Sequence, residues 1–300
     1  MKAQLWPILV VVILGLSGSA GAASFPDRPI HIVVPFPPGG PASVVANMVG
    51  PQLSKRLGQS VIIDNRPGVD GVVGSEIVAG AAPDGYTLLL TTSSHVLHVG
   101  TYASLPFDTE TAFAPVSLLL TSQYVLVVNP SLPVYSVEDL IAYAKDYPGN
   151  LAYASGGFGG PTQLFFELFE LTAGINATHL AYDGGGPALL AVVTGQAQAM
   201  LAPIIGAMPM VQDGRLRALA VSGRHPDPSA PELPTIAETL SGFHAVSWSA
   251  VLAPAGTPVA VITRLNIEFD RIVHDPEIVK QFAAIGGEPV GGPPTTLASL

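Results

Sequence analysis

The feature that most constrains the fold of this chain is a strand, a glycine- and proline-rich turn and a helix in immediate succession. An apolar, β-branched run at 30–34 is followed by PFPPGGPAS at 35–43, and apolar residues then recur at helical spacing up to Leu57. This order predicts a strand at about 30–35 and a helix at about 42–57, with a kink or a break at Pro51. Strands that alternate with helices in this way are typical of an α/β fold with parallel-rich sheets.

Two further glycine-rich turns follow predicted strands. The strand at 61–64 leads into NRPGVDGVVG at 65–74, and the strand at 151–154 leads into SGGFGGPTQ at 155–163. Such turns lie at the carboxyl edge of a parallel sheet, where free N–H groups and the helix dipole favour an anion. The alternative is that each one is an ordinary turn between a strand and a helix. Turns from two domains that face one cleft favour the anion-binding interpretation.

Two long apolar segments divide the chain into lobes. They cover residues 113–130 and 245–253, and neither contains a helix between its halves, so each is predicted to pass from one domain to the other. The sequence therefore predicts two α/β lobes around a ligand cleft, with two crossings between them. Lobe 1 is expected to be discontinuous, comprising 24–122 and 225–300, and lobe 2 is expected to span 123–224.

The first 23 residues have the pattern of a signal peptide. A positive start at Lys2 precedes an apolar run from Leu5 to Leu16, and Ala20-Gly21-Ala22 has the small residues that a signal peptidase recognises. An uncleaved membrane anchor is the alternative, but the run is short for a span of about 20 residues. Cleavage after Ala22 or Ala23 is therefore predicted, and with it an exported, periplasmic protein.

Charge and composition exclude several classes of protein. The chain has 22 acidic and 12 basic residues and no basic run, which argues against nucleic acid or an anionic membrane as a partner. It has no cysteine, so disulfides, thiolate metal sites and cysteine catalysis are excluded. An acidic protein that binds an acid must then attract it locally, through backbone amides.

Several stretches in register resemble the Bug family, the periplasmic solute-binding proteins of tripartite tricarboxylate transporters. They are SFPDRPIHIVVPFPPGGP, QSVIIDNRPGVDGVVGSEIVAGAAPDGYTLLL, FAPVSLLL, LAYASGGFGGPTQL, GRLRALAVSG and SWSAVLAPAGTP, and they extend from about residue 25 to 300. The resemblance implies a type II periplasmic-binding-protein fold whose lobes close on a small organic carboxylate. It also implies a membrane permease as partner, and a ligand carboxylate held by the first-lobe turn, partly through ordered water. A further helix after Leu300 is expected by the same resemblance.

The resemblance also implies the ligand-binding residues. In lobe 1 they are Phe36, Pro38, Gly39, Gly40, Pro41, Ala42 and Ser43, with the hydroxyl residues Thr92 and Ser93 after the third strand. In lobe 2 they are Ser155, Gly157, Phe158, Gly159, Gly160 and Thr162, with Asp183 and Ala202 on neighbouring strand ends. Hydroxyls and amides at these places would donate hydrogen bonds to a carboxylate.

Departures from the family pattern bear on the ligand. Ala42-Ser43 stands where relatives often have threonine and aspartate, and Ala202 and Pro203 stand where acidic residues are common. Asp183 stands where a basic or amide residue is common, and it would repel a second ligand carboxylate or pair with an amine. These differences favour a monocarboxylate, aromatic or amine-bearing, over citrate.

Enzyme and metal functions are poorly supported by the motifs. Residues 24–300 contain no G-x-S-x-G, no H-E-x-x-H and no P-loop lysine after GGFGGPT, which argues against an exported hydrolase. His95 and His98 have a spacing that suits metal ligands but are interpreted as ordinary polar residues near the cleft or in the loop after it. Trp248 is interpreted as hinge packing rather than a cleft wall. We expect a monomer that binds without catalysis, cofactor or metal. A ligand sensor that acts on a signalling partner is an open alternative.

Overall fold

The computed structural model describes residues 25–102 and 104–298. The predicted signal peptide, 1–23, lies outside the described residues. Within the described part no helix is long and apolar enough to cross a membrane.

The described residues form ten strands and eleven α-helices. The strands are β1 Ile30–Val34, β2 Val61–Asn65, β3 Thr87–Thr92, β4 Phe113–Val128, β5 Ala152–Ser155, β6 Thr178–Ala181, β7 Ala199–Pro203, β8 Arg217–Val221, β9 Val246–Pro254 and β10 Glu288–Pro289. The helices are α1 Pro41–Leu57, α2 Val72–Ala79, α3 Ser94–Thr101, α4 Val137–Asp146, α5 Pro161–Ala173, α6 Gly185–Val193, α7 Ile204–Gln212, α8 Ile236–Thr239, α9 Val259–Val273, α10 Pro276–Ala283 and α11 Pro294–Ala298.

The predicted α/β fold with two lobes and two crossings is confirmed. The strands follow the order β2-β1-β3-β9-β4-β7-β5-β6, with β8 and β10 also paired to β4. Pairing is parallel among β1, β2 and β3 and among β5, β6 and β7, and antiparallel wherever β4 or β9 takes part. The glycine-rich turns therefore leave the carboxyl ends of parallel strands, as the sequence pattern indicates.

The crossing between the two halves of the sheet occurs at Gln123 and Tyr124 on β4. The part of β4 up to Gln123 pairs with β9, and the part from Tyr124 onward pairs with β7 and β8. The return crossing is β9, which begins at Val246. The residue before it, Ala245, donates its N–H to the Ser222 carbonyl. Two adjacent strands thus connect the lobes.

Each lobe has its own hydrophobic core. In lobe 1, α1, α9 and α10 pack against β1 and β3 in one cluster of buried residues. In lobe 2, Leu126 and Val128 contribute to a cluster with Phe166, whereas Val125 and Val127 contribute to another with α6 and α7. This alternation follows from the two-residue period of a strand and covers both faces of the second sheet.

Helix α1 continues through Pro51, so the predicted break there is wrong. Pro51 removes one hydrogen-bond donor from the helix, but Val49 and Leu53 on either side are fully buried in the lobe 1 core. Tertiary packing therefore holds the helix together. Pro41 occupies its first turn, where a missing N–H costs nothing, and Gly58 ends it in the left-handed conformation.

Candidate functional site

Two neighbouring cavities lie where the lobes face each other. The first, here called the glycine-turn cavity, has a volume of about 750 Å³ and is bounded by residues 156–164, by Ser94 of α3 and by Tyr102, which directly follows that helix. The second, here called the hinge cavity, has a volume of about 350 Å³ and is bounded by the first-lobe turn, the crossing strands and the start of α7. Pro203, at the end of β7, lines both, so the two cavities meet there.

Five helices begin at these cavities. Pro41 of α1 and Ile204 of α7 line the hinge cavity, and Ser94 of α3, Pro161 of α5 and Gly185 of α6 line the glycine-turn cavity. Each helix start carries a partial positive charge from its unpaired N–H groups. Among the described residues, none that lines either cavity is Asp, Glu, Lys, Arg or His. The cleft can therefore attract an anion by backbone dipoles alone.

The first-lobe turn is fixed from behind by Asn65. The Asn65 Nδ2 donates to the Phe36 carbonyl at 2.9 Å, and the Ser43 Oγ donates to the Asn65 Oδ1 at 3.4 Å. Gly39 has a φ of 81°, which a residue with a side chain rarely adopts. Its backbone and Pro41 are the parts of the turn that line the hinge cavity.

In the second-lobe turn, backbone N–H groups donate hydrogen bonds to side chains from the first turn of α5. The Gly156 N–H donates to the Thr162 Oγ1 at 2.9 Å, and the Gly159 N–H donates to the Gln163 Oε1 at 2.6 Å. A Cβ on Gly156 would lie 2.9 Å from the backbone nitrogen of Gly185, so glycine is needed for the turn to approach α6. The side-chain oxygens of Thr162 and Gln163 thus accept hydrogen bonds from two N–H groups of the cavity lining.

A serine and a histidine meet beneath the same turn. The Ser155 Oγ lies 2.6 Å from the His179 Nε2 and donates to the Gly157 carbonyl at 2.9 Å. Burial lowers the pKa of His179, so the imidazole is favoured in its neutral form. Ser155 is fully buried, which leaves its Oγ inaccessible to a substrate. The pair therefore supports the turn.

Hydroxyl groups connect the crossing strands to α3. The Ser93 Oγ lies 2.9 Å from the Ser247 Oγ, and the Ser93 N–H donates to the Trp248 carbonyl at 3.2 Å. Ser247 also hydrogen-bonds Tyr124, and burial outweighs that bond in raising the pKa of Tyr124 to about 12. Tyr124 therefore presents a neutral hydroxyl near the hinge.

The predicted site residues divide into a first group that lines one of the two cavities and a second group that lines neither. Those that line the hinge cavity are Gly39, Pro41 and Thr92, and those that line the glycine-turn cavity are Gly157, Phe158, Gly159, Gly160 and Thr162. Those that line neither cavity are Phe36, Pro38, Gly40, Ala42, Ser43, Ser93, Ser155, Asp183 and Ala202. In this second group the side chains of Ala42, Ser43, Ser93, Ser155 and Ala202 are buried, whereas Asp183 is exposed.

Other cavity residues are absent from the sequence-based set. Tyr102 directly follows α3, and Ile204 and Ile205 begin α7, and neither helix was predicted. Gln163 ends the predicted turn at 155–163 but lies one residue beyond the last predicted ligand-binding residue there, Thr162, and it could have been found from its position in the first turn of α5. The Trp248 side chain is 7% exposed and lines the hinge cavity, so it both packs at the hinge and forms a wall.

The histidines of α3 are core residues and not surface polar groups. His95 and His98 are each 2% exposed, and the His95 ring stacks on Phe107 and meets Phe113 edge-on. Burial, followed by the nearby His98, lowers the pKa of His95 to about 4. The described residues contain no group of three or more His, Cys, Asp or Glu that could hold a metal.

Comparisons with known proteins give a consistent result. Residues 45–299 match the model of the "Tripartite tricarboxylate transporter family receptor". Protein BugT of Bordetella pertussis is 36% identical over 285 residues, which is 94% of this chain and 87% of BugT.

Two solved structures of similar proteins contain carboxylates. Rpa4515 of R. palustris with adipate has a TM-score of 0.76 and 34% identity, with 92% of this chain and 93% of that one covered. MatC of Rhodopseudomonas palustris with bound malate has a TM-score of 0.73 and 30% identity, with 92% and 95% covered.

Proposed function

Since the chain belongs to the tripartite tricarboxylate transporter receptor family, we propose that it captures a small carboxylate between its lobes and delivers it to a membrane permease of a tripartite tricarboxylate-type transporter. The proposal includes export to the periplasm, a monomeric state and no chemical conversion of the ligand. A periplasmic sensor would use the same cleft but report to a signalling protein, and it remains the alternative.

The observation that carries this proposal is the start of five helices at two uncharged, connected cavities. A carboxylate that binds there replaces its hydrogen bonds to water with hydrogen bonds from N–H groups and hydroxyls that are already oriented. The helix dipoles favour its negative charge. The adipate and the malate in two related structures support the ligand class.

The proposed mechanism is binding followed by closure. The ligand contacts the turn at 36–43 in lobe 1 and the turn at 155–162 in lobe 2, and so it stabilises the closed arrangement over the open one. The lobe limits at 122/123 and 224/225 belong to the same proposal. The change of sheet partners between Gln123 and Tyr124 supports the first of them.

A hydrolase has little support. The contact between Ser155 and His179 has the geometry of a nucleophile and a base, but Ser155 is fully buried and its hydroxyl is committed to the Gly157 carbonyl. A catalytic serine must reach its substrate, and this one does not.

A thermal-shift screen tests the proposal. Mono-, di- and tricarboxylates, aromatic acids and amino acids are each compared with the neutral amide of the same skeleton. An acid present at roughly 100 times its Kd should stabilise the protein by about 2.7 kcal/mol, whereas its amide should have little effect. The absence of a shift from every acid, or equal shifts from acids and amides, would contradict carboxylate capture.

A further inference from the structure

The walls of the hinge cavity are apolar. Large hydrophobic side chains form most of its lining, from α1, from both crossing strands, from α7 and from the segment after α10: Val44, Leu120, Tyr124, Trp248, Ile205 and Ile285. None of the described residues in the lining carries a charge. A cavity of this kind favours a hydrocarbon over a second anionic group.

Two polar side chains in the lining, Gln123 and Ser247, are already hydrogen-bonded within the chain. The Gln123 Oε1 accepts from the Gly223 N–H at 3.0 Å, and its Nε2 donates to the His225 carbonyl at 3.2 Å. The Ser247 hydroxyl is bonded to Ser93. A carboxylate placed in this cavity would have to break such bonds or remain without a charged partner, and either outcome is costly.

Fewer helices begin at the hinge cavity than at the glycine-turn cavity. Two helices, α1 and α7, begin at the hinge cavity. The glycine-turn cavity instead receives the starts of α3, α5 and α6. The glycine-turn cavity therefore offers backbone N–H groups, whereas the hinge cavity offers apolar side chains, and the two meet at Pro203. A ligand with a polar head and an apolar tail fits this arrangement.

We propose that the ligand is a monocarboxylate with an apolar tail, aryl or alkyl. Its carboxylate lies at the junction beside Pro203, between the two turns, and its tail fills the hinge cavity. This inference rests on the proposed function and narrows its substrate class. An amine on the tail is not favoured, because Asp183 lines neither cavity.

Hexanoate and adipate form a matched pair for the test, since they have the same number of carbons and differ by one carboxylate. The chain has two tryptophans, Trp6 and Trp248, so the full chain with Trp6→Phe reports only from the hinge cavity. Titration of this variant with hexanoate should shift the Trp248 emission to shorter wavelength as the tail displaces water. Hexanoate should bind at least about tenfold more tightly than adipate. The same titration with 3-phenylpropanoate distinguishes an aryl from an alkyl tail.

A charge placed in the hinge cavity should reverse this preference. Ile205 is 43% exposed, so Ile205→Lys can be made without burying the new side chain completely. This variant should bind adipate more tightly than hexanoate, whereas the apolar control Ile205→Met should keep the order of the parent.

Three outcomes would overturn the inference. Adipate that binds as tightly as hexanoate would reject the substrate class but leave carboxylate capture intact. An unchanged preference in Ile205→Lys would place the tail outside the hinge cavity. Binding of neither acid, together with no response in the acid screen, would reject the proposed function itself and the inference with it.

Discussion

The Gly159 N–H donates a hydrogen bond to the side-chain Oε1 of Gln163 at 2.6 Å. The Nε2 of the same amide donates to the Glu167 Oε1 at 2.7 Å. The neutral Gln163 amide therefore accepts from the Gly159 N–H, which belongs to the turn at which a ligand carboxylate is proposed to bind. Entry of a carboxylate would displace this amide.

Gln163→Glu should weaken carboxylate binding. The introduced carboxylate would take the Gly159 N–H and repel an anionic ligand, so affinity at pH 7 should fall by about tenfold or more. The difference in affinity between this variant and the parent should narrow as the pH approaches the ordinary pKa of glutamate, about 4.3. Calorimetric titration at two pH values measures this effect. Gln163→Met, which has no oxygen to compete, is the control, and equal affinity of the Glu variant and the parent would contradict the displacement of Gln163.

Gly156→Ala should destabilise lobe 2. The added Cβ would lie 2.9 Å from the Gly185 nitrogen and 3.0 Å from the Gly184 carbonyl carbon, which are backbone atoms that cannot rotate away. A loss of about 1–3 kcal/mol in the free energy of unfolding is expected from such overpacking. Gly186→Ala is the matched control, because nothing lies within 4 Å of its Cβ. Equal stability of the two variants would show that the turn has room to move.

The contact between Ser93 and Ser247 should contribute to the hinge. Ser93→Ala and Ser247→Ala should each cost about 0.5–1.5 kcal/mol of unfolding free energy. In the double variant, the cost should be less than the sum of the single costs, because the second substitution removes a group that has already lost its partner. Chemical denaturation of the four proteins measures the coupling. Strict additivity would argue against a hydrogen bond between these hydroxyls.

Stability should fall as the pH decreases from 7 to 5, in part because of His95. Its folded pKa of about 4 lies below the ordinary value of 6.5, so between these values the unfolded chain binds more protons than the folded one. This group therefore stabilises the fold fully above pH 6.5, and about 2 kcal/mol of that contribution should be lost by pH 5. His95→Leu should show a pH dependence that is smaller by about this amount in urea denaturation. An identical pH dependence in parent and variant would contradict a buried, neutral His95.

The sequence predicts the parts of this protein that depend on local pattern. The β-branched runs, the glycine-rich turns and the long crossing at Phe113–Val128 all appear where periodicity and turn chemistry place them. Helix α7 was missed because Gly206 and Pro209 disfavour a helix, and burial of Ala207 and Met208 overrides that preference.

The site was predictable only in part, for a related reason. The two turns are continuous stretches and can be recognised, but the hinge cavity brings together residues as distant in sequence as Val44 and Ile285. Its chemistry depends on which faces of α1, β4, β9 and α7 meet, and that is a property of the tertiary structure. Ala42 and Ala202, both predicted from family positions, are fully packed in the cores instead of lining the cleft.

The central claim, that a carboxylate is captured between the lobes, can be tested by one distance measurement. The chain has no cysteine, so Glu76→Cys on α2 and Leu171→Cys on α5 give a single pair of spin labels, one in each lobe. Double electron–electron resonance should show a distance distribution that shifts on addition of a saturating acid and is unchanged by its neutral amide. A distribution that stays the same with every acid that raises the melting temperature would contradict closure of the lobes on a bound carboxylate.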